Sequence, residues 1–138
     1  MSLFNVFDIA GSGMSAQSVR LNTTASNMAN ADTVAATEDK AYKARQPVFA
    51  SVMQQNAGMQ NEKPGVKILG IVENQAAHNM RYEPANPLAN EEGYVYESNV
   101  NIVDEMASMI SASRSYQNNI EILNTSKDML LKTLKLGQ

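Results

Sequence analysis

A chain of 138 residues with 43% hydrophobic and 6% aromatic residues and no Trp has room for one ordinary domain, or for long terminal helices around a small folded piece, but not for a large compact core. Its formal charge is -3, with 11 Lys and Arg against 14 Asp and Glu, and the basic residues are scattered, which excludes the electrostatic footprint of a nucleic-acid binder. With no Cys, disulfides, thiolate metal sites and a Cys nucleophile are excluded and the redox compartment is left open.

Residues 1–10 contain no basic residue and interrupt their apolar positions with Asn5 and Asp8, so they lack the two regions of a cleavable signal peptide. No run approaches the ~18 apolar residues of a membrane span. From Phe4 to Met28 the positions Phe4, Phe7, Gly11, Met14, Ser18, Leu21, Ala25 and Met28 alternate by three and four, the spacing of a heptad seam. The small residues Gly11, Ser18 and Ala25 imply the close approach of another helix. Gly11 and Gly13 each cost a helix about 1 kcal/mol relative to Ala, so this segment is expected to depend on neighbours for its order. Between Met1 and Ala31 only Asp8 and Arg20 are charged, a pattern expected of a helix packed on several sides.

The middle of the chain holds all four prolines, Pro47, Pro64, Pro84 and Pro87, together with Gly58, Gly65, Gly70 and Gly93. Tyr42 to Phe49 alternates partly, Val66 to Val72 is a β-branched run, and Tyr94 to Tyr96 follows Gly93, which predicts two to four strands. Gln54-Gln55-Asn56-Ala57-Gly58 and the stretch from Glu83 to Gly93 predict loops.

In the C-terminal part, Ile102, Met109, Tyr116, Leu123 and Leu130 recur every seventh residue, interleaved with Met106, Ser113, Ile120, Lys127 and Leu134. A helix is predicted from Asn101 to Leu136, with Asn101 as its cap, Asp104 and Glu105 in the first turn, and Lys127, Lys132 and Lys135 near the end before Gly137. Such a helix is roughly 54 Å long, against a diameter of about 37 Å for a compact globule of this chain length. Its stripe must therefore be covered by something besides its own domain. The expected fold is mainly α: long N- and C-terminal helices, residues 1–33 and 99–138, packing as a coiled-coil-like pair around a small β-rich insertion at 34–98.

Catalytic chemistry is missing from the pattern. His78 is the only His, with no second His or Cys to form a metal cluster or a nucleophile pair. Gly11-Ser12-Gly13 has no preceding strand and no following Lys-Ser/Thr, so it is not a phosphate loop. Glu91 and Glu92 lie side by side in a loop, where solvation is expected rather than acid–base work. No catalytic residue, metal ligand, cofactor or small-molecule substrate is expected.

Two segments carry a family resemblance. Ser26-Asn27-Met28-Ala29-Asn30-Ala31-Asp32-Thr33 resembles the Asn-x-Ala-Asn signature of flagellar basal-body rod and hook proteins, and Tyr42-Lys43 matches its downstream partner. Asn99-Val100-Asn101-Ile102-Val103-Asp104-Glu105-Met106, followed by Ser115-Tyr116-Gln117-Asn118-Asn119 and Leu130 to Leu136, resembles the C-terminal signature of the same family, and the short length fits its proximal-rod members. Ala36 to Asp39 lacks a Gly common before the Tyr, Ser98 stands where Pro is common, and Ala85-Asn86 replaces a common Gly-His. The resemblance implies a structural subunit of the bacterial flagellar rod, self-assembling through its terminal helices into part of a hollow drive shaft and export channel. It implies as partners further copies and other rod subunits, together with the flagellar export apparatus, and a place in the periplasm-spanning rod reached without a cleaved signal. The seam residues Phe4, Phe7, Met14, Leu21, Met28, Ile102, Met106, Met109, Tyr116, Ile120, Leu123, Leu130 and Leu134 are expected to be packing surfaces between subunits, with Asn27 and Asn30 holding the turn out of the first helix. The competing reading is a soluble coiled-coil adaptor or secretion chaperone working as a closed oligomer; an enzyme would need a deep pocket in an insertion of about 60 residues.

Overall fold

A computed structural model describes residues 3–52 and 64–136. Its elements in order are helix α1 (Leu3–Ala29), β1 (Val34–Ala35), a 3-10 turn (Glu38–Lys40), β2 (Arg45–Val52), β3 (Gly65–Glu73), β4 (Met80–Tyr82), β5 (Tyr94–Glu97) and helix α2 (Ile102–Leu136). Two long terminal helices thus flank a small β region, as the sequence predicts.

α2 starts where Asn101 supplies a cap: its Oδ1 accepts the Val103 N–H at 3.0 Å and its carbonyl accepts the Glu105 N–H at 3.0 Å. Asp104 and Glu105 in the first turn and Lys135 in the last match the helix dipole. α1 has neither an acidic first turn nor a basic last turn. It ends instead through local side-chain bonds that occupy carbonyls left over by the helix: Asn30 Nδ2 donates to the Ser26 carbonyl at 2.8 Å, and Thr33 Oγ1 donates to the Asn30 carbonyl at 2.7 Å.

The helices lie antiparallel. Asn27 bonds Glu105, and a Cβ added at Gly13 would sit 2.9 Å from Asn119 Nδ2; each of these anchor pairs is two heptads from the other on both helices, so one register holds between them. α1 also packs on β2 and β3, where Ser12 Oγ accepts the Val66 N–H at 3.0 Å and a Cβ on Gly65 would collide with the Ser12 side chain. α1 is therefore covered on two sides.

β2 and β3 form an antiparallel pair from Arg45↔Glu73 to Val52↔Gly65, with Leu69 bulged out where Val48 meets Gly70 and Phe49 meets Ile68. β1, β5 and β4 form a second antiparallel sheet with β5 central. The predicted strand segments appear as β2, β3 and β5, except that β2 begins at Arg45: before it, the Ala44 N–H goes to the Asn99 side chain, while the Ala44 carbonyl accepts the Asn74 N–H and the Tyr42 carbonyl the Asn99 N–H. β1 and β4, of two and three residues, are too short to show as a pattern. The predicted loop Gln54 to Gly58 lies outside the described residues. From Glu83 to Gly93 the chain runs through turns, and Gly93 adopts φ +84, a conformation natural only to Gly, with the Tyr82 ring 2.9 Å from where a Cβ would be.

Buried apolar residues among those described are Ala10, Ala16, Ala41, Ala44, Val95 and Ala112, and the largest fully buried side chains are Val95 and Asn27. No described aromatic, Leu, Ile or Met reaches full burial, although each such side chain would contribute about 1.5–3 kcal/mol. Apolar area is poorly used within one copy.

Candidate assembly surface and its anchoring junction

The best-organised polar cluster joins the end of α1, the start of β2 and the first turn of α2. Asn27, 1% exposed, uses its whole hydrogen-bonding capacity. Its Nδ2 donates to the Arg45 carbonyl and to Glu105 Oε1, both at 2.8 Å, while its Oδ1 accepts the Arg45 N–H at 2.9 Å and the Tyr42 hydroxyl at 3.1 Å. Towards Arg45 the carboxamide acts as a neighbouring strand would, taking one donor and one acceptor. The sequence-based expectation had Asn27 holding the turn out of α1; it reaches beyond that turn to β2 and α2, and Asn30 and Thr33 secure the turn.

Asn99 makes a second clamp. Its Oδ1 accepts the Ala44 N–H at 2.7 Å and its Nδ2 donates to the carbonyls of Asn74 (3.1 Å) and Ala76 (2.9 Å). Buried Ser98 donates its hydroxyl to the Ala31 carbonyl and its N–H to the Thr33 carbonyl, so a residue that departs from the family pattern is itself built into the junction. Glu105, Arg45 and Ser98 were not marked as site residues from sequence, since their partners are distant in the chain. Only the spacing of Glu105 four residues before Met109 hints at an inward position.

The faces of the two helices divide sharply. On α2 the side toward α1 runs through Glu105, Met109, Ala112, Tyr116, Asn119, Leu123, Ser126 and Leu130, all buried or half-buried. Around the rest of the helix Ile102, Val103, Met106, Ile110, Ile120 and Leu131 are exposed, Val103 by 73%, and so is Leu134 by 63%, which keeps the inward line but lies beyond the described part of α1. The predicted stripe is thus split: Met109, Tyr116, Leu123 and Leu130 face α1, Ile102, Met106 and Ile120 face outward, and Leu134 is exposed past the described start of α1. Asn119, which is not one of the heptad positions named above, abuts Gly13. On α1, Phe7, Met14, Leu21 and Met28 are half-buried, and the exposed positions include Ile9, Gly11, Ser15, Ser18, Asn22, Ala25 and Ala29, none charged. A Cβ at Gly11 would meet nothing within 4 Å. The Phe4 side chain lies outside the described residues.

Among the described residues no group of His, Asp and Glu is placed to hold a metal, and no helix is long and apolar enough to cross a membrane. His78 Nδ1–H donates to the Glu97 carbonyl at 2.8 Å. Beside it, Arg81 bridges Glu83 at 2.8 Å and Glu97 at 2.7 Å. The Asn86 carboxamide and the Arg81 guanidinium hold the Glu83 carboxyl below the ordinary carboxylate range. These are structural pairings with no reacting partner in reach.

Residues 7–37 match the family model described as flagella basal body rod protein, and residues 91–136 match that described as flagellar basal body rod FlgEFG protein C-terminal. The first span holds Asn27 and Asn30 and the second holds Asn99, Asn101 and Glu105, so most of the junction's side chains lie inside the matched segments. The chain is 53% identical to the flagellar basal-body rod protein FlgC of Escherichia coli O157:H7 and to that of Salmonella typhimurium strain LT2. It is 51% identical to that of Yersinia enterocolitica, and all three alignments cover the whole of both chains.

Proposed function

This chain belongs to the flagellar basal-body rod protein family and is a structural subunit of the rod, not an enzyme; we propose from that premise that it polymerises through the outward faces of its terminal helices. Family membership decides between a rod subunit and a closed cytoplasmic adaptor in favour of the rod. The observation that carries the mode of assembly is the pairing of an uncharged, small-residue face on α1 with an exposed apolar face on α2. A free monomer gains nothing from either, whereas packing them between copies in a coiled-coil-like manner removes the apolar area from water. Gly11, Ser18 and Ala25 let a neighbouring helix come close. Because the two faces differ, the contact is heterologous, and with a rotation that does not close into a ring it propagates as a helix.

In this reading, residues 1–33 and 99–138 are the assembly segments lining a hollow shaft, and 34–98 is an insertion lying further out. The partners are further copies and other rod subunits, and the export apparatus before them. Export runs through the flagellum's own channel without a cleaved signal: helices with so little to bury alone pass unfolded and order on meeting partners.

Met106→Asp and Ile110→Asp test the assembly mode. Both variants should be exported and should unfold as the parent does, within about 0.5 kcal/mol for surface substitutions, yet leave cells without rods and non-motile. Normal rods, or a large loss of monomer stability, would contradict it.

A further inference from the structure

We propose that the Glu91–Glu92 turn of one copy docks into a basic groove of the next copy, formed by Arg20 and Arg45; this rests on the rod reading above. The groove, about 350 Å³, opens between α1, β2 and α2 and is lined by Arg20, Thr24, Arg45, Phe49, Glu105 and Ser108 among others. Arg20 is the sole basic residue of α1 and is half-buried, and among the described residues it makes no ion pair or hydrogen bond. Glu105 shares the groove, but its Oε1 accepts from Asn27. Arg45 lies 3.6 Å from Glu73 with both side chains about half exposed, a separation at which little is gained. Arg20 and Arg45 therefore both line a groove that also has Ser108 and an apolar wall at Phe49, the Arg45 guanidinium being otherwise 5.7 Å over the Tyr42 ring.

A guanidinium in that position takes a carboxylate well, through paired N–H donors. Glu105 brings one carboxylate to a groove lined by two arginines, so if neighbours close over α1 and strip its water, one positive charge there lacks a counter-ion within the groove, which is costly. The occupant is indicated by the other side of the molecule. Glu91 and Glu92 are exposed, adjacent and without ion pairs among the described residues. Their turn is closed by Asn90, whose Oδ1 accepts the N–H groups of Glu92 (3.1 Å) and Tyr94 (2.9 Å). Leu88 and Tyr94, 48% and 36% exposed, flank them. Two carboxylates beside apolar side chains thus complement two guanidinium groups beside Phe49, and a turn already closed loses little entropy on docking. Groove and turn are built from different elements, so the contact is heterologous and passes from copy to copy.

The test is charge reversal and its repair, with counts of isolated basal bodies and swarm diameter as readouts, and with export and helical circular dichroism recorded for each variant. Arg20→Glu alone, and Glu91→Lys with Glu92→Lys, should each be exported and folded but weaken the contact about tenfold or more, with rods largely lost. The triple variant should recover rods in part, since the Arg20 side of the contact is then reversed while Arg45 is unchanged. Wild-type motility of the Glu91/Glu92 variant would overturn the proposal and point the groove to a different rod subunit. Failure of the triple variant to exceed the single reversals would overturn it as well. Neither result touches the rod assignment, which is tested separately by whether the parent chain restores rods to a deletion strain.

Discussion

At Asn27 every hydrogen-bonding group of the side chain has a partner and almost no surface reaches water, whereas at Gly11, on the same helix, a side chain would meet nothing. The junction around Asn27 is finished within one copy, and the outward helix faces are not. Polar chemistry thus sets the subunit's internal geometry, with alanines and a single buried valine providing most of its modest core. The larger apolar side chains are left on the outside. That division suits a part which must hold its own shape only loosely until neighbours arrive.

The comparison breaks most sharply at Asn27 itself. Asn27→Leu strands the Arg45 N–H and carbonyl and one Glu105 oxygen, and leaves the Tyr42 hydroxyl with Ser26 alone, at about 1–3 kcal/mol for each unsatisfied group. The expected loss is about 4 kcal/mol, read by urea unfolding of the purified subunit; a loss under about 1 kcal/mol would mean that the node is dispensable. Gly13→Leu comes next, since the new side chain must displace Asn119; overpacking of this kind costs about 1–3 kcal/mol, visible as a lowered thermal midpoint. Asn99→Ala removes one acceptor and two donors at a more open position, so about 1–2 kcal/mol is expected in the same assay.

The length and limits of α2 were legible in the sequence, because heptad spacing, the Asn101 cap and the acidic first turn act locally; α1 follows its heptad spacing but ends at Ala29, short of the expected residue 33. The phase of the inward seam was not. Ala112, Asn119 and Ser126 face α1 although they are small or polar, while Ile102, Met106 and Ile120 face outward. Following the apolar residues therefore traces the outer surface and half of the inner one. A small core side chain allows close approach at little apolar gain, and a periodicity of hydrophobicity does not register it. Asn27 could be named from its motif, but its partners could not, since Tyr42, Arg45 and Glu105 come together only in the fold. β1 and β4 escaped notice because two- or three-residue strands are made by their partner, β5, rather than by their own sequence.

The smallest effect sharpens the contrast from the insertion side. The Asn86 carboxamide and then Arg81 keep the Glu83 carboxyl below its ordinary value of 4.5 on a half-buried side chain. A carboxylate whose folded value is depressed contributes stability above its unfolded value, lost as the pH falls through the folded one. Asn86→Ala should raise the Glu83 midpoint toward 4.5 in an NMR titration and narrow the pH range over which stability is lost, with helix signals unaffected. An unchanged midpoint would assign the shift to Arg81 alone.

The most direct measurement compares leucine at the two glycines that sit one on each side of α1. Replacing Gly11 by Leu should leave the purified subunit as stable as the parent, or more so by up to about 1 kcal/mol from helix propensity, and yet abolish rods in cells, because the neighbouring copy can no longer come close. The Gly13→Leu variant should do the reverse at the bench and lose subunit stability first. Gly11→Leu cells that build normal rods, or a Gly11→Leu subunit that unfolds as readily as Gly13→Leu, would contradict the claim that the outward face of α1 is where one copy meets the next.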